Sequence, residues 1–158
     1  MKFKRVAVGG TFDYLHDGHV AILAKAFEIG DRVVIGIVSD EMELRKDSAG
    51  IRPIEVRMRS LLEMLRLKGW IERAEISVIS NPFGPAVSDI GLQAIVVSPE
   101  TKARAEELNK LRASKGLVAL EIVEIPFVLA EDGTPISSVR VMYGEIDTHG
   151  KLLKRYAD

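Results

Sequence analysis

Two short apolar runs separated by one helical pattern constrain this chain more than any other feature. Phe3–Gly9 and Arg32–Val38 (Arg-Val-Val-Ile-Gly-Ile-Val) are rich in β-branched residues and nearly continuous in apolar character, as expected of strands covered on both faces. Between them Ile22, Leu23, Ala26 and Phe27 fall at helical spacing, and Gly30 reads as the helix stop. Strand, helix and buried strand in that order imply a parallel pair with a right-handed crossover.

The same alternation continues. Glu55–Lys68 predicts a helix with Met58, Leu61, Leu62 and Leu65 on its inner face, and Ala74–Ile79 a third strand. Asn81-Pro-Phe-Gly-Pro85 breaks the pattern before a short helix, and Ala94–Val97 predicts a fourth strand. Thr101–Ser114 predicts a helix with Ala103, Leu108 and Leu111 inward, and Val118–Ile125 a fifth strand. Ser137–Tyr143 reads as a terminal helix and Lys151–Tyr156 as a basic short helix or frayed tail. The expected fold is α/β: a doubly wound, mostly parallel five-stranded sheet of Rossmann-like type, in one domain over residues 1–158. In such a sheet the ligand sits beyond the carboxyl ends of the strands, so the loops after strands one, two and four should line one cleft.

Composition narrows the classes of function. A net charge of −1 gives no field for nucleic acid or anionic membrane. No apolar stretch approaches the roughly 20 residues of a spanning helix, and the run after Met-Lys-Phe-Lys-Arg is too short for a signal peptide. The absence of cysteine removes disulfides, a thiolate nucleophile and Cys-ligated zinc. A cytoplasmic protein acting on small molecules is expected, and the oligomeric state is not legible.

The first strand runs into Gly9-Gly-Thr-Phe-Asp-Tyr-Leu-His-Asp-Gly-His19. Gly9 and Gly10 are expected to turn sharply and bring backbone N–H groups close to a ligand, with Thr11 adding a hydroxyl. The helix N-terminus suits phosphate, and Gly18 removes bulk there. His16 and His19 then face the same anion. A metal pair or an ordinary cap would give the same spacing, but no third Cys, His or carboxylate is grouped with the histidines. The glycines do not match Gly-x-Gly-x-x-Gly, and no Gly-Lys-Ser/Thr loop is present. Near the other end, Ile136-Ser-Ser-Val-Arg140 offers hydroxyls, a helix start and a charged fork, again suited to phosphate.

In that order, Gly9–Asp13 with Leu15-His-Asp-Gly-His19 resembles the His-x-Gly-His signature of the nucleotidyltransferase superfamily, and Ile136–Arg140 resembles its second, Ile-Ser-Ser-x-x-Arg signature with the arginine one place early. Ser39-Asp40, Lys46, Ser98-Pro-Glu-Thr101, Leu108-Asn109 with Arg112, and Gly144-Glu-Ile-Asp147 with Gly150 are similar to the archaeal type of phosphopantetheine adenylyltransferase. The resemblance implies adenylyl transfer from ATP to 4′-phosphopantetheine, giving dephospho-coenzyme A and pyrophosphate. It implies in-line attack by an acceptor hydroxyl with no covalent intermediate. His19 and His16 would donate to the α- and β-phosphates, and Thr11 would orient phosphate and acceptor. Lys46 would be the transition-state cation, with Arg52 and Arg57 as further candidates. Gly9, Gly10, Phe12 and Gly18 would border ATP; Ser137, Ser138 and Arg140 would hold its outer phosphates. Thr11, Lys46, Arg57 and Thr101 would meet the acceptor. Magnesium is expected to ride on the ATP phosphates with few or no protein ligands.

The chain departs from the bacterial type, which has Thr-x-Gly-His at the first signature and clustered arginines where Ser98-Pro-Glu-Thr-Lys102 stands here. Lys102 and Arg104 could replace those arginines or be solvated. Asp13 and Asp17 read as loop or capping residues, His149 as surface, and Trp70 as packing. The alternatives are nicotinamide mononucleotide adenylyltransferase, FAD synthetase, glycerol-phosphate cytidylyltransferase, or a nucleotide-binding domain without catalysis.

Overall fold

The computed structural model describes residues 2–41 and 51–153. Five strands, β1 (Phe3–Gly10), β2 (Gly30–Val38), β3 (Ala74–Ile79), β4 (Ala94–Val97) and β5 (Glu121–Glu124), form one sheet in the order β3-β2-β1-β4-β5. Every pair is parallel. The helices are α1 (Asp17–Ile29), α2 (Ile54–Leu67), α3 (Lys102–Ser114) and α4 (Ser138–Met142), with 3-10 turns at Ile71–Arg73 and Gly84–Val87. None is long and apolar enough to cross a membrane among the described residues.

The central strand explains the layering. Val6 and Val8 of β1 point to a core with Val33, Ile35 and Ile37 of β2, Leu23, Ala26 and Phe27 of α1, and Leu61 and Leu65 of α2. Ala7 and Val34 point the other way, to Leu92, Leu108 and Leu120. One face therefore carries α1 and α2, and the other carries α3 with the 3-10 turn. The direction of winding reverses between β1 and β4, and their carboxyl ends part there to leave a crevice.

Several elements differ from the sequence expectation for identifiable reasons. Gly30 is not a left-handed helix cap but the extended first residue of β2, with φ −118° and ψ 140°. Glycine is needed there because a Cβ would lie 2.6 Å from Val6 Cγ2. The buried stripe of α3 is Ala105, Leu108 and Arg112, while Ala103 and Leu111 are exposed. β5 starts only at Glu121, because the backbone before it is engaged by α3. Arg112 donates to the Val118 carbonyl, and the Asn109 amide pairs with both Leu120 N and O. The tail is no helix over its described part: Leu152 makes an antiparallel bridge to Ile146. Residues 154–158 lie outside the described residues. Trp70 packs as expected, stacked on Phe27 at 4.9 Å and 11°.

Overpacking a tight strand contact costs about 1–3 kcal/mol. Gly30→Ala should therefore lower unfolding free energy by roughly that amount in a urea titration; unchanged stability would show that the contact with Val6 relaxes freely.

Candidate active site

The loop leaving β1 does not turn at its glycines. Gly9 and Gly10 remain in the ladder opposite Gly36 and Ile37. The reversal is made by Phe12 (φ 53°) and Tyr14 (φ 46°), the non-glycine residues with left-handed backbone among the described residues. Both glycines line the crevice, but only at Gly9 does the missing side chain leave open space: a Cβ there would meet nothing nearer than Gly36 O at 3.9 Å, whereas one at Gly10 would meet the Phe12 ring at 3.4 Å. The Phe12 ring is only 2% exposed and belongs to the main core. Phe12 is thus a core residue, which corrects the expectation that its side chain borders ATP.

The two histidines build their own helix start. His16 is the N-cap of α1, and its Nδ1 accepts from Gly18 N at 3.0 Å. His19, at the third helical position, accepts from His16 N through Nδ1 at 3.1 Å. This is a reciprocal capping box written with imidazoles in place of hydroxyl and carboxylate. A ring nitrogen that accepts a backbone N–H carries no proton, so each neutral ring keeps its proton on Nε2. The rings lie 3.9 Å apart. Burial lowers His16 to about 4, with Asp17 opposing, and burial and the neighbouring His16 lower His19 to about 3. Both are neutral Nε2–H donors at pH 7. Gly18 serves this arrangement directly, because a Cβ there would meet His16 Cε1 at 2.7 Å and Nδ1 at 2.9 Å. The space it leaves is filled by the imidazole, not held open for phosphate.

The expected cations fare differently. Lys46 lies outside the described residues. Arg57 is fully buried, and its donors go to Arg52 O, Thr11 O and Val38 O at 2.7–2.8 Å and to the Asp40 carboxylate at 2.7 Å. It supports the loop from beneath, which corrects its expected role as an acceptor contact. It continues the buried stripe of α2, Arg57-Leu61-Leu65, a spacing visible in the sequence that marks it as an interior residue. Arg52 clasps Asp13, with Nε to Oδ1 at 2.7 Å and backbone N to Oδ2 at 3.1 Å.

The second signature divides its labour. Ser137 caps α4, accepting from Arg140 N. Ser138 Oγ donates to Asp13 O at 2.5 Å, joining residues far apart in the chain. The Arg140 fork is held by Asp132 and Glu145, at 2.5 and 2.9 Å, with Thr134 Oγ1 and Pro135 O completing its set. Asp132 is pulled down to about 2, chiefly by the Arg140 hydrogen bond. Instead of standing as an open fork for outer phosphates, Arg140 braces the turn that carries the serines. His149 Nδ1 meets Asp17 Oδ1 at 2.8 Å, and Asp17 N donates to Thr148 O, so the C-terminal segment is tied to the start of α1.

Beside this polar loop an open crevice runs between the sheet and α3. Gly9, Gly36 and Val38 form its floor, Ile79, Pro82 and Phe83 one wall, and Thr101, Arg104 and Leu108 the other. The crevice is thus lined by the carboxyl ends of β1 and β2 and by the segments after β3 and β4; the part played by the segment after β3 was missed in the sequence although its Pro-Phe-Gly-Pro composition was plain. The Thr101 hydroxyl closes the turn with Ser98 N and O as well as lining the crevice. Arg104 lines the crevice, whereas Lys102 pairs with Glu124 at 3.3 Å.

A cytidylyltransferase-like family model matches residues 7–142. A phosphopantetheine adenylyltransferase of Methanothermobacter thermautotrophicus is 45% identical over 154 residues, covering 98% of this chain and 92% of the relative. One of Methanosarcina acetivorans is 50% identical over 151 residues, covering 94% and 95%. Among solved structures, an Archaeoglobus fulgidus protein of unknown function superposes with a TM-score of 0.69 at 33% identity, covering 77% of this chain and 88% of that one.

The geometry predicts how the histidines titrate. In an NMR titration His16 and His19 should remain largely neutral from pH 8 to about 5, with midpoints near 4 and 3, whereas His149, raised by Asp17, should titrate above 6.5. Folded-state values below the unfolded value mean that this contribution to stability is complete above pH 6.5 and is lost as the pH falls towards 3. A midpoint above 6 for either of these two histidines would refute the desolvation assigned to the pair.

Proposed function

The chain belongs to the cytidylyltransferase-like family, and on that footing we propose that it transfers the adenylyl group of ATP to 4′-phosphopantetheine, giving dephospho-coenzyme A and pyrophosphate in coenzyme A synthesis. The observation that carries this reading is near full-length identity of 45–50% to archaeal phosphopantetheine adenylyltransferases, joined to a neutral histidine pair at a helix N-terminus beside an apolar crevice. ATP and phosphopantetheine are the substrates, and the cytoplasm, where both are made and used, is the compartment.

The product decides which atom attacks. Dephospho-coenzyme A contains a diphosphate, so the nucleophile is an oxygen of the acceptor's phosphate and not a hydroxyl. That oxygen forms a bond to the α-phosphorus while the bond from the α-phosphorus to the bridging oxygen of the β-phosphate breaks, and the electron pair leaves with pyrophosphate. No proton needs abstraction from a phosphate already ionised at neutral pH. The residues therefore orient two anions and stabilise charge, and no general base is required.

His19 and His16 donate Nε2–H to oxygens of the α- and β-phosphates. Neutral donors suit this role, because they follow developing charge without holding pyrophosphate as a fixed cation would. Thr11 orients the α-phosphate and the incoming oxygen, and Lys46 supplies the cation. Gly9 and Gly10 allow both phosphates to lie close to the strand end. The crevice between Gly36, Phe83 and Leu108 receives the uncharged arm of the acceptor, with Thr101 and Arg104 beside it. Magnesium would screen the triphosphate. The loop's own carboxylates, Asp13 and Asp17, are committed to Arg52 and His149, which fits an ion carried by ATP and its waters.

His19→Ala should lower turnover by about a hundredfold or more while cooperative unfolding is retained; near-normal turnover would overturn the assignment. A panel pairing ATP or CTP with phosphopantetheine, nicotinamide mononucleotide, FMN or glycerol 3-phosphate should release pyrophosphate fastest with ATP and phosphopantetheine. A better rate with another pair would reassign the substrate.

A further inference from the structure

Phe12 and Tyr14 adopt left-handed backbone, and the residue between them is a carboxylate almost closed to solvent. Non-glycine residues rarely take this conformation, and they keep it only where the surroundings over-determine it. Here the surroundings can be enumerated. The Asp13 carboxylate accepts from Arg52 Nε (2.7 Å), Arg52 N (3.1 Å) and Tyr14 N (3.0 Å). The Asp13 carbonyl accepts from Ser138 Oγ at 2.5 Å. The Arg52 guanidinium lies 4.0 Å from the centroid of the Tyr14 ring. Arg57 closes the circle by donating to both Arg52 O and Thr11 O at 2.8 Å. Two separate stretches, at the start of α2 and the start of α4, thus meet on residues 11–14.

Little of this serves the core. Phe12 packs there, but the carboxylate, the Arg52 stack and the Ser138 bond all act on the loop's path. The position most sensitive to that path is Thr11, adjacent to the first left-handed residue. We propose that Asp13 is a positioning residue for the transfer reaction: clasped by Arg52 and Ser138, it keeps Phe12 and Tyr14 left-handed and so fixes Thr11 where the α-phosphate and the attacking oxygen meet. The inference rests on the adenylyl-transfer reading for the role of Thr11. Its chemistry is positional, since Asp13 itself faces Arg52 and not the crevice.

The test uses the full chain as wild type, Asp13→Asn, Tyr14→Gly and the double variant, each also in a Thr11→Ala background. Asparagine keeps the volume and removes the charge. Asp13→Asn should lower kcat/KM by about tenfold or more, as expected when a reacting group is misplaced. Adding Tyr14→Gly should recover at least about threefold, because glycine takes the left-handed conformation without a Cβ clash. In the Thr11→Ala background the Asp13→Asn loss should shrink below about threefold, since a residue that acts through Thr11 has nothing left to act through. A purely structural residue would instead give losses that multiply in every background. Such multiplication, or an Asp13→Asn rate within twofold of wild type, would overturn the proposal. If Asp13→Asn does not fold, Arg52→Gln removes the same clasp from a side chain 32% exposed and is judged by the same criteria. Wild-type enzyme that releases no pyrophosphate with any acceptor would defeat the functional reading instead. The clasp would then be judged by ATP affinity in calorimetry, where the same order of variants is expected.

Discussion

One buried cation holds the site together. The Arg57 guanidinium, with no exposed surface, binds carbonyls of Thr11, Val38 and Arg52 and the Asp40 carboxylate. These groups come from the loop after β1, the end of β2, the residues before α2 and the turn after β2. Parallel strands make such a hub necessary. Every β1-to-β2 connection leaves and returns at opposite ends of the sheet, so the carboxyl-end loops share no backbone ladder. Their inward carbonyls would be buried without donors unless a side chain served several at once. Arginine is suited to this because its five donors radiate in one plane and its charge persists. Removing one partner of such a buried set typically costs about 3–5 kcal/mol, though the 44% exposure of Asp40 reduces that pair's share.

With Arg57, Arg52 and Arg140 all engaged, the polar loop after β1 offers a ligand neutral donors. Burial keeps the histidine pair neutral, and the backbone N–H groups of His16 and Gly18 select the tautomer. The capping box thereby does two jobs with the same atoms. It starts α1 by satisfying two N–H groups that would otherwise lack partners, and it aims two Nε2–H groups outwards. A serine and glutamate could do the first job but not the second.

The periodic parts of the chain were legible, because buried parallel strands and amphipathic helices announce themselves by composition and spacing. β3 and β4 coincide with the expected Ala74–Ile79 and Ala94–Val97. The errors lie where side chains compete with the backbone ladder. Val118–Leu120 looked like strand by composition, yet Arg112 and Asn109 capture its backbone for α3. The motifs were legible as motifs and less so as roles. Ser-Ser-Val-Arg140 reads as a phosphate clamp, but the choice of Asp132 and Glu145 as partners of Arg140 depends on a turn that no local pattern encodes. Likewise the Gly-Gly turn was displaced to Phe12 and Tyr14, since the conformational freedom of glycine permits a turn without compelling one.

The glycine pair has a different use, visible only in the register of the sheet. Gly9 lies beside Gly36, and both line the floor of the crevice. On the opposite face of β1, Val6 and Val8 are fully committed to the core under α1. The strand thus carries bulk on one face and none at the carboxyl end of the other, so the sheet closes against α1 while it stays open towards α3. Where β1 ends, the apolar crevice meets the polar loop of Thr11 and the histidines. A ligand with an uncharged arm and an anionic end can lie across that boundary only if no Cβ stands on the strand between them. The missing side chain of Gly9 keeps that boundary open, and the turn that follows is left to be enforced by Asp13, Arg52 and Arg57.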